Sequence, residues 1–137
     1  MSTMIFVNLP VKDLDRSREF FGTLGFTFSK QFTDENATAM EIDKENGIFA
    51  MLLVEPFFKG FTPKEIADAT TTTEAIVALG LESREAVDTL VDAALAHGGS
   101  PANPPMEEGF MYGRSFCDPD GHLWEAVWMD PSAMEEG

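Results

Sequence analysis

At 137 residues the chain has the length of one domain, able to bury roughly two thirds of the surface that its unfolded form exposes, without help from a disulfide. Its 24 Asp and Glu against nine Lys and Arg give a formal charge of −15, and the bases are scattered singly, which argues against nucleic acid and anionic membranes as partners. A single cysteine, Cys117, excludes an internal bridge, no apolar run approaches spanning length, and Met1 to Ile5 lacks a signal-peptide pattern, so a cytoplasmic protein is expected.

Residues 4–11 alternate, with Ile5, Val7, Leu9 and Val11 on one face and Phe6, Asn8 and Pro10 on the other, and predict a first strand. Asp13 caps a helix over 14–24 that presents Leu14, Phe20, Phe21 and Leu24 on one side and stops at Gly25. Strands follow over 26–32, 37–42 and 48–55, the last two joined by the turn at 43–47. Residues 56–73 form a linker in which Thr62-Pro63-Lys64-Glu65 predicts a short helix to about residue 68. Phe57, Phe58 and Phe61 cluster there, over a cavity or at a subunit contact.

The second half repeats the order. A strand over 74–81 precedes a helix capped by Ser83, with Val87, Leu90, Val91, Ala94 and Leu95 at core spacing and Gly98-Gly99 as its stop. A proline-rich loop holds at most a short edge strand, and a hairpin over 109–117 and 122–129 closes the module around Asp118-Pro119-Asp120-Gly121. A short mobile tail is expected over 130–137. Two β-α-β-β-β modules result, at about 4–55 and 74–129, each with a helix on one sheet face.

Glu125 stands out in the closing strand, where it shares a face with Leu123, Val127 and Met129. An acid in an apolar row must be a ligand, an acid/base group or half of a structural pair. A plain two-residue turn sets Arg114 opposite Glu125, whereas a type I turn with Gly121 as a bulge sets Ser115 there; the Asp-Pro-Asp-Gly sequence favours the bulge. His97 and His122 are expected to be exposed or capping residues, and His122 points to the face opposite Glu125.

The repeated order, the run Asn8-Leu9-Pro10-Val11-Lys12-Asp13-Leu14 leading to Phe20-Phe21 and Leu24-Gly25-Phe26, and the closing Asp118-Pro119-Asp120-Gly121 with Trp124-Glu125 resemble the vicinal oxygen chelate superfamily. That group includes glyoxalase I, extradiol dioxygenases, fosfomycin-resistance enzymes and bleomycin-binding proteins. The resemblance implies one α+β domain, its two modules forming a curved, mostly antiparallel sheet around a cavity with the helices outside. It also implies four metal positions, which fall here on Phe6, about Met51, Ile76 and Glu125. Only Glu125 offers a suitable oxygen, so no metal residues are assigned and no cofactor is expected, unless Asn8, Glu55 or Glu74 replaces a lost ligand.

The expected binding residues are Phe6, Asn8, Phe49, Met51, Ile76 and Leu123 on inward-facing positions, with Tyr112 and Phe110 at the rim. Such a lining suits a small organic ligand, aromatic or, given the acidic charge, cationic. Glu125 is the one catalytic candidate, as a general base. The alternative is a metal-dependent lyase or dioxygenase with displaced ligands. Either reading implies a homodimer.

Overall fold

The computed structural model describes residues 3–134, in two compact units that divide after Ile66. The first unit runs β1 (Ile5–Val11), α1 (Leu14–Thr23), β2 (Thr27–Ser29), β3 (Ala37–Asp43), β4 (Ile48–Val54) and α2 (Glu55–Lys59). Its sheet has the order β1-β4-β3-β2 and is mixed, since β1 runs parallel to β4 and the other pairs are antiparallel.

Local chemistry sets the ends of α1. The Asp13 carboxylate accepts the Arg16 N–H at 3.1 Å, and Gly25 leaves the helix with φ of 96°. Leu14, Ser17, Phe20 and Phe21 form the buried stripe of the helix. They belong to the same core as Leu9, Val11, Met40, Ala50 and Leu52, one face of the alternating strands. Phe6, Asn8, Phe49 and Met51 take the other face.

Two expectations for this unit are corrected. The strand over 26–32 shrinks to three residues because Thr33 donates its hydroxyl to the Ser29 carbonyl, while Asp34 accepts the N–H groups of Asn36 and Ala37, turning the chain. The short helix forms directly after β4, with Pro56 in its first turn, rather than over 62–68; there the Thr62 hydroxyl accepts the Lys64 N–H in a local turn.

The second unit runs β5 (Ile76–Gly80), α3 (Arg84–Ala96), β6 (Ser100–Pro101), β7 (Met106–Glu107), β8 (Met111–Cys117), β9 (Leu123–Met129) and α4 (Pro131–Met134). Its sheet order, β5-β9-β8-β6, reproduces that of the first unit, again with the first strand parallel to the last, and β7 also pairs with β8. The Ser83 hydroxyl caps α3 by accepting the Ala86 N–H, and Val87, Val91 and Ala94 lie in a core with Phe116, Trp124 and Ala126. His97 caps the far end as expected, with Nδ1 2.8 Å from the Ala93 carbonyl. The expected tail begins with α4; residues 135–137 lie outside the described part. No helix among the described residues is long and apolar enough to cross a membrane.

The closing hairpin takes the bulged register, with Ser115 opposite Glu125 and Gly121 at φ of 92°. Its turn is organised by Asp118, which is only 4% exposed and accepts the N–H groups of Asp120 and His122 and the indole N–H of Trp124, at 2.9, 3.0 and 2.9 Å. His122 is not exposed, as expected from the sequence, but buried, with Nδ1 2.7 Å from Glu74 Oε1. Gly121 lies so close to the backbone of Ala69 and Thr70 that a Cβ would sit 2.9 Å from their atoms.

Three outcomes follow from this turn. Gly121→Ala combines an unfavourable positive φ with a backbone collision and should lower stability by about 1–3 kcal/mol, read as a lower urea midpoint; an unchanged midpoint would refute the close approach. Asp118→Ala orphans three donors and should cost at least about 2 kcal/mol in the same assay. Burial raises the Asp118 pKa, against the pull of His122 and the Trp124 hydrogen bond. The folded state therefore keeps a proton that the unfolded chain releases, so stability relative to Asp118→Asn should fall as pH rises from the free-carboxyl range.

Candidate functional site

The open face of the first sheet carries a cavity of about 500 Å³, within the usual range for small-molecule sites. Its lining includes Phe6 and Asn8 of β1 and Phe49 and Met51 of β4, brought side by side by the parallel register Phe6↔Phe49 and Asn8↔Met51. The rings of Phe6 and Phe49 stack with centroids 5.1 Å apart and planes 8° apart. Asn8 donates its amide to the Phe6 carbonyl at 3.1 Å, which orients the side chain along the strand.

Sequence reasoning missed the rest of this lining. Ala39 and Glu41 of β3 stand opposite Met51 and Phe49 and share their face, a parity that the alternation in β3 could have revealed. Met4, Ser29, Gln31, Phe32 and Lys44 complete it from strand ends and loops, where periodicity carries no signal. Glu41 accepts the Thr27 hydroxyl at 2.7 Å and lies 3.9 Å from the Lys44 ammonium, a loose pair whose lysine is solvated while the glutamate is largely covered.

Glu125 belongs to a second, smaller cavity of about 170 Å³ in the second unit, with Asn103, Met106, Ser115 and Val127 among its lining. Ser115 Oγ accepts the Asn103 N–H at 2.8 Å, which ties the proline-rich loop to β8. Ile76 and Leu123 are register neighbours on β5 and β9 and are not among the residues lining either cavity.

Tyr112 is corrected outright. Counted from Ser115 it lies on the opposite face of β8, where its hydroxyl donates to Asp88 of α3 at 2.6 Å. Arg114 joins it there, with Nη1 2.9 Å from both Asp88 and Asp92. These hydrogen bonds, that from Tyr112 first, lower the Asp88 pKa, and the same bond raises that of Tyr112. The network fastens α3 to the sheet; Tyr112 and Asp88 line neither cavity, whereas Arg114 also contributes to the wall of the second. Phe110 is about half exposed and lines neither cavity.

The four positions that the family resemblance assigns to a metal do not fit one. Phe6 has no donor atom and is engaged in a ring stack, Ile76 has none, and the thioether of Met51 is a poor partner for a hard or borderline ion. The proposed substitutes are engaged elsewhere. Asn8 is turned to its own strand, Glu74 holds His122, and Glu55 opens α2. No group of three or more His, Cys, Asp or Glu among the described residues is arranged to hold an ion.

Known proteins agree with this geometry at the level of the fold. Residues 3–43 match the family described as bleomycin resistance protein-like N-terminal. A hypothetical protein of S. aureus, SA1046, is similar at 28% identity and a TM-score of 0.76, over 93% of this chain and 94% of that one. A glyoxalase/bleomycin resistance protein/dioxygenase family enzyme from Burkholderia phytofirmans PsJN superposes with a TM-score of 0.72 at 17% identity, over 90% and 96%. The fosfomycin resistance protein FosX from Listeria monocytogenes, in complex with Mn(II) and sulfate, does so at 0.70 and 18%, over 99% and 97%. The last two share the fold alone. No curated protein sequence matches. Two β-α-β-β-β units with the same strand order, an N-terminal match over residues 3–43 and structural likeness along nearly the whole chain lead to one conclusion: the chain has the fold shared by the glyoxalase/bleomycin resistance/dioxygenase proteins, and its residues 3–43 resemble the bleomycin resistance protein-like N-terminal family.

Proposed function

We propose that this protein binds a small aromatic or apolar organic molecule in the cavity of its first unit and does so without a resident metal. The observation that carries the reading is the stacked Phe6–Phe49 pair at the wall of a cavity of about 500 Å³. A flat ligand laid against these rings gains both buried apolar area and a favourable ring contact, about 0.5–1.5 kcal/mol beyond area alone. Asn8, Ser29 and Gln31 supply the few polar groups that would orient it. The one acid and one base in the lining, Glu41 and Lys44, offset each other, so this cavity favours a neutral guest over a cationic one.

The same apolar face supports a homodimer. Met4, Phe6 and Phe32 are 53%, 48% and 60% exposed, more apolar surface than a monomer leaves wet without cost. The expected sedimentation mass is that of two chains.

A neutral fluorescent aromatic, N-phenyl-1-naphthylamine, serves as probe. Its emission should rise saturably on titration, Phe49→Ala should weaken the binding about tenfold or more, and exhaustive chelation should leave it unchanged. Binding that is insensitive to Phe49→Ala would place the guest elsewhere. Loss of binding on chelation, or one tightly held ion per chain by elemental analysis, would overturn the metal-free part.

A further inference from the structure

Charge is divided unevenly along the chain. Residues 67–137 contain fourteen Asp and Glu against only Arg84 and Arg114, a formal −12 of the chain's −15, and they contain no lysine. Each arginine and each histidine of this half has an internal partner. Arg84 binds Glu107 through Nη1 at 2.6 and 2.7 Å and lies over the rings of Tyr112 and Trp128. Arg114 binds Asp88 and Asp92, His97 meets the Ala93 carbonyl and His122 meets Glu74.

Glu125 stands apart from these pairs. It is half-buried at the wall of the cavity of about 170 Å³, and among the described residues it has no ion pair or hydrogen bond from another side chain. Arg114 contributes to the same wall, but its Nη1 is held by the two aspartates of α3. Beside the carboxylate lie the Ser115 hydroxyl, opposite it across the sheet, and an apolar surface of Pro104, Met106 and Val127.

A half-buried carboxylate in a low-dielectric recess favours a cation, and the strongly acidic unit around it raises the local cation concentration. One carboxylate and one hydroxyl are too few ligands for a divalent ion. They do suit an ammonium group, whose three N–H donors would meet Glu125 and Ser115 while a short alkyl stem lies on Met106 and Val127. We infer that the cavity of the second unit is a binding site for a small alkylammonium ion, with Glu125 as its counter-ion. The site lies in a different cavity from the aromatic site proposed above and does not depend on it.

The probe is n-butylammonium chloride, titrated into the full chain at about 0.15 M ionic strength, where the Debye length of about 8 Å screens the diffuse field of the surface. Amide resonances should move saturably at Ser115, Glu125 and Val127. Glu125→Gln should weaken the affinity about tenfold or more, Met106→Trp should block the cavity without changing charge, and neutral n-butanol should not bind. The proposal is overturned if butylammonium fails to saturate, if either variant binds it as the wild type does, or if butanol binds equally well. Saturable binding of manganese that is lost in Glu125→Gln would assign the recess to a metal and overturn it too. The naphthylamine titration of Glu125→Gln should match the wild type, so failure at one site is distinguishable from failure at the other.

Discussion

The second unit depends on one buried carboxylate. Asp118 accepts hydrogen bonds from Asp120, His122 and Trp124, so a single side chain anchors the turn, the first residues of β9 and the largest side chain of the core. Because the turn is held in this form, the hairpin register places Glu125 opposite Ser115 rather than Arg114. Arg114 is thereby left to the acids of α3, and Glu125 is left without a cation. The chemistry open to the second cavity therefore follows from a turn several residues away.

The two units share a plan and differ in chemistry. Each has a mixed sheet whose first strand runs parallel to its last, with a capped amphipathic helix over one face. In the first unit the open face is aromatic, with offsetting charges at Glu41 and Lys44. In the second, the recess holds one half-buried acid within a strongly acidic half-chain. Repeated geometry with different linings is a way for one scaffold to serve several chemistries.

The fold was legible because its signals are local. Asp13 and Ser83 cap helices through residues three positions away, Gly25 and Gly98 end them, and period-two alternation sorts each strand into a core face and an open face. The same alternation grouped Phe6, Asn8, Phe49 and Met51, and the Asp-Pro-Asp-Gly turn carried the preference for the bulged register. By itself, then, the sequence determined the order of the main elements, the two faces of β1, β4 and β9 and the apolar character of the first cavity.

Tertiary structure decided what depends on groups far apart in the chain. Tyr112 meets Asp88 across 24 residues and His122 meets Glu74 across 48, so the first left the expected rim and the second left the surface. Phe32 and Gln31 enter the cavity lining from a loop whose path is set by the hydrogen bonds of Thr33 and Asp34, and the short helix moved to follow β4. That Glu125 lacks a partner was beyond reach of the sequence, because it requires knowing where every competing cation has gone. Local pattern is written in neighbouring residues; the pairing of charges is a property of the packed whole.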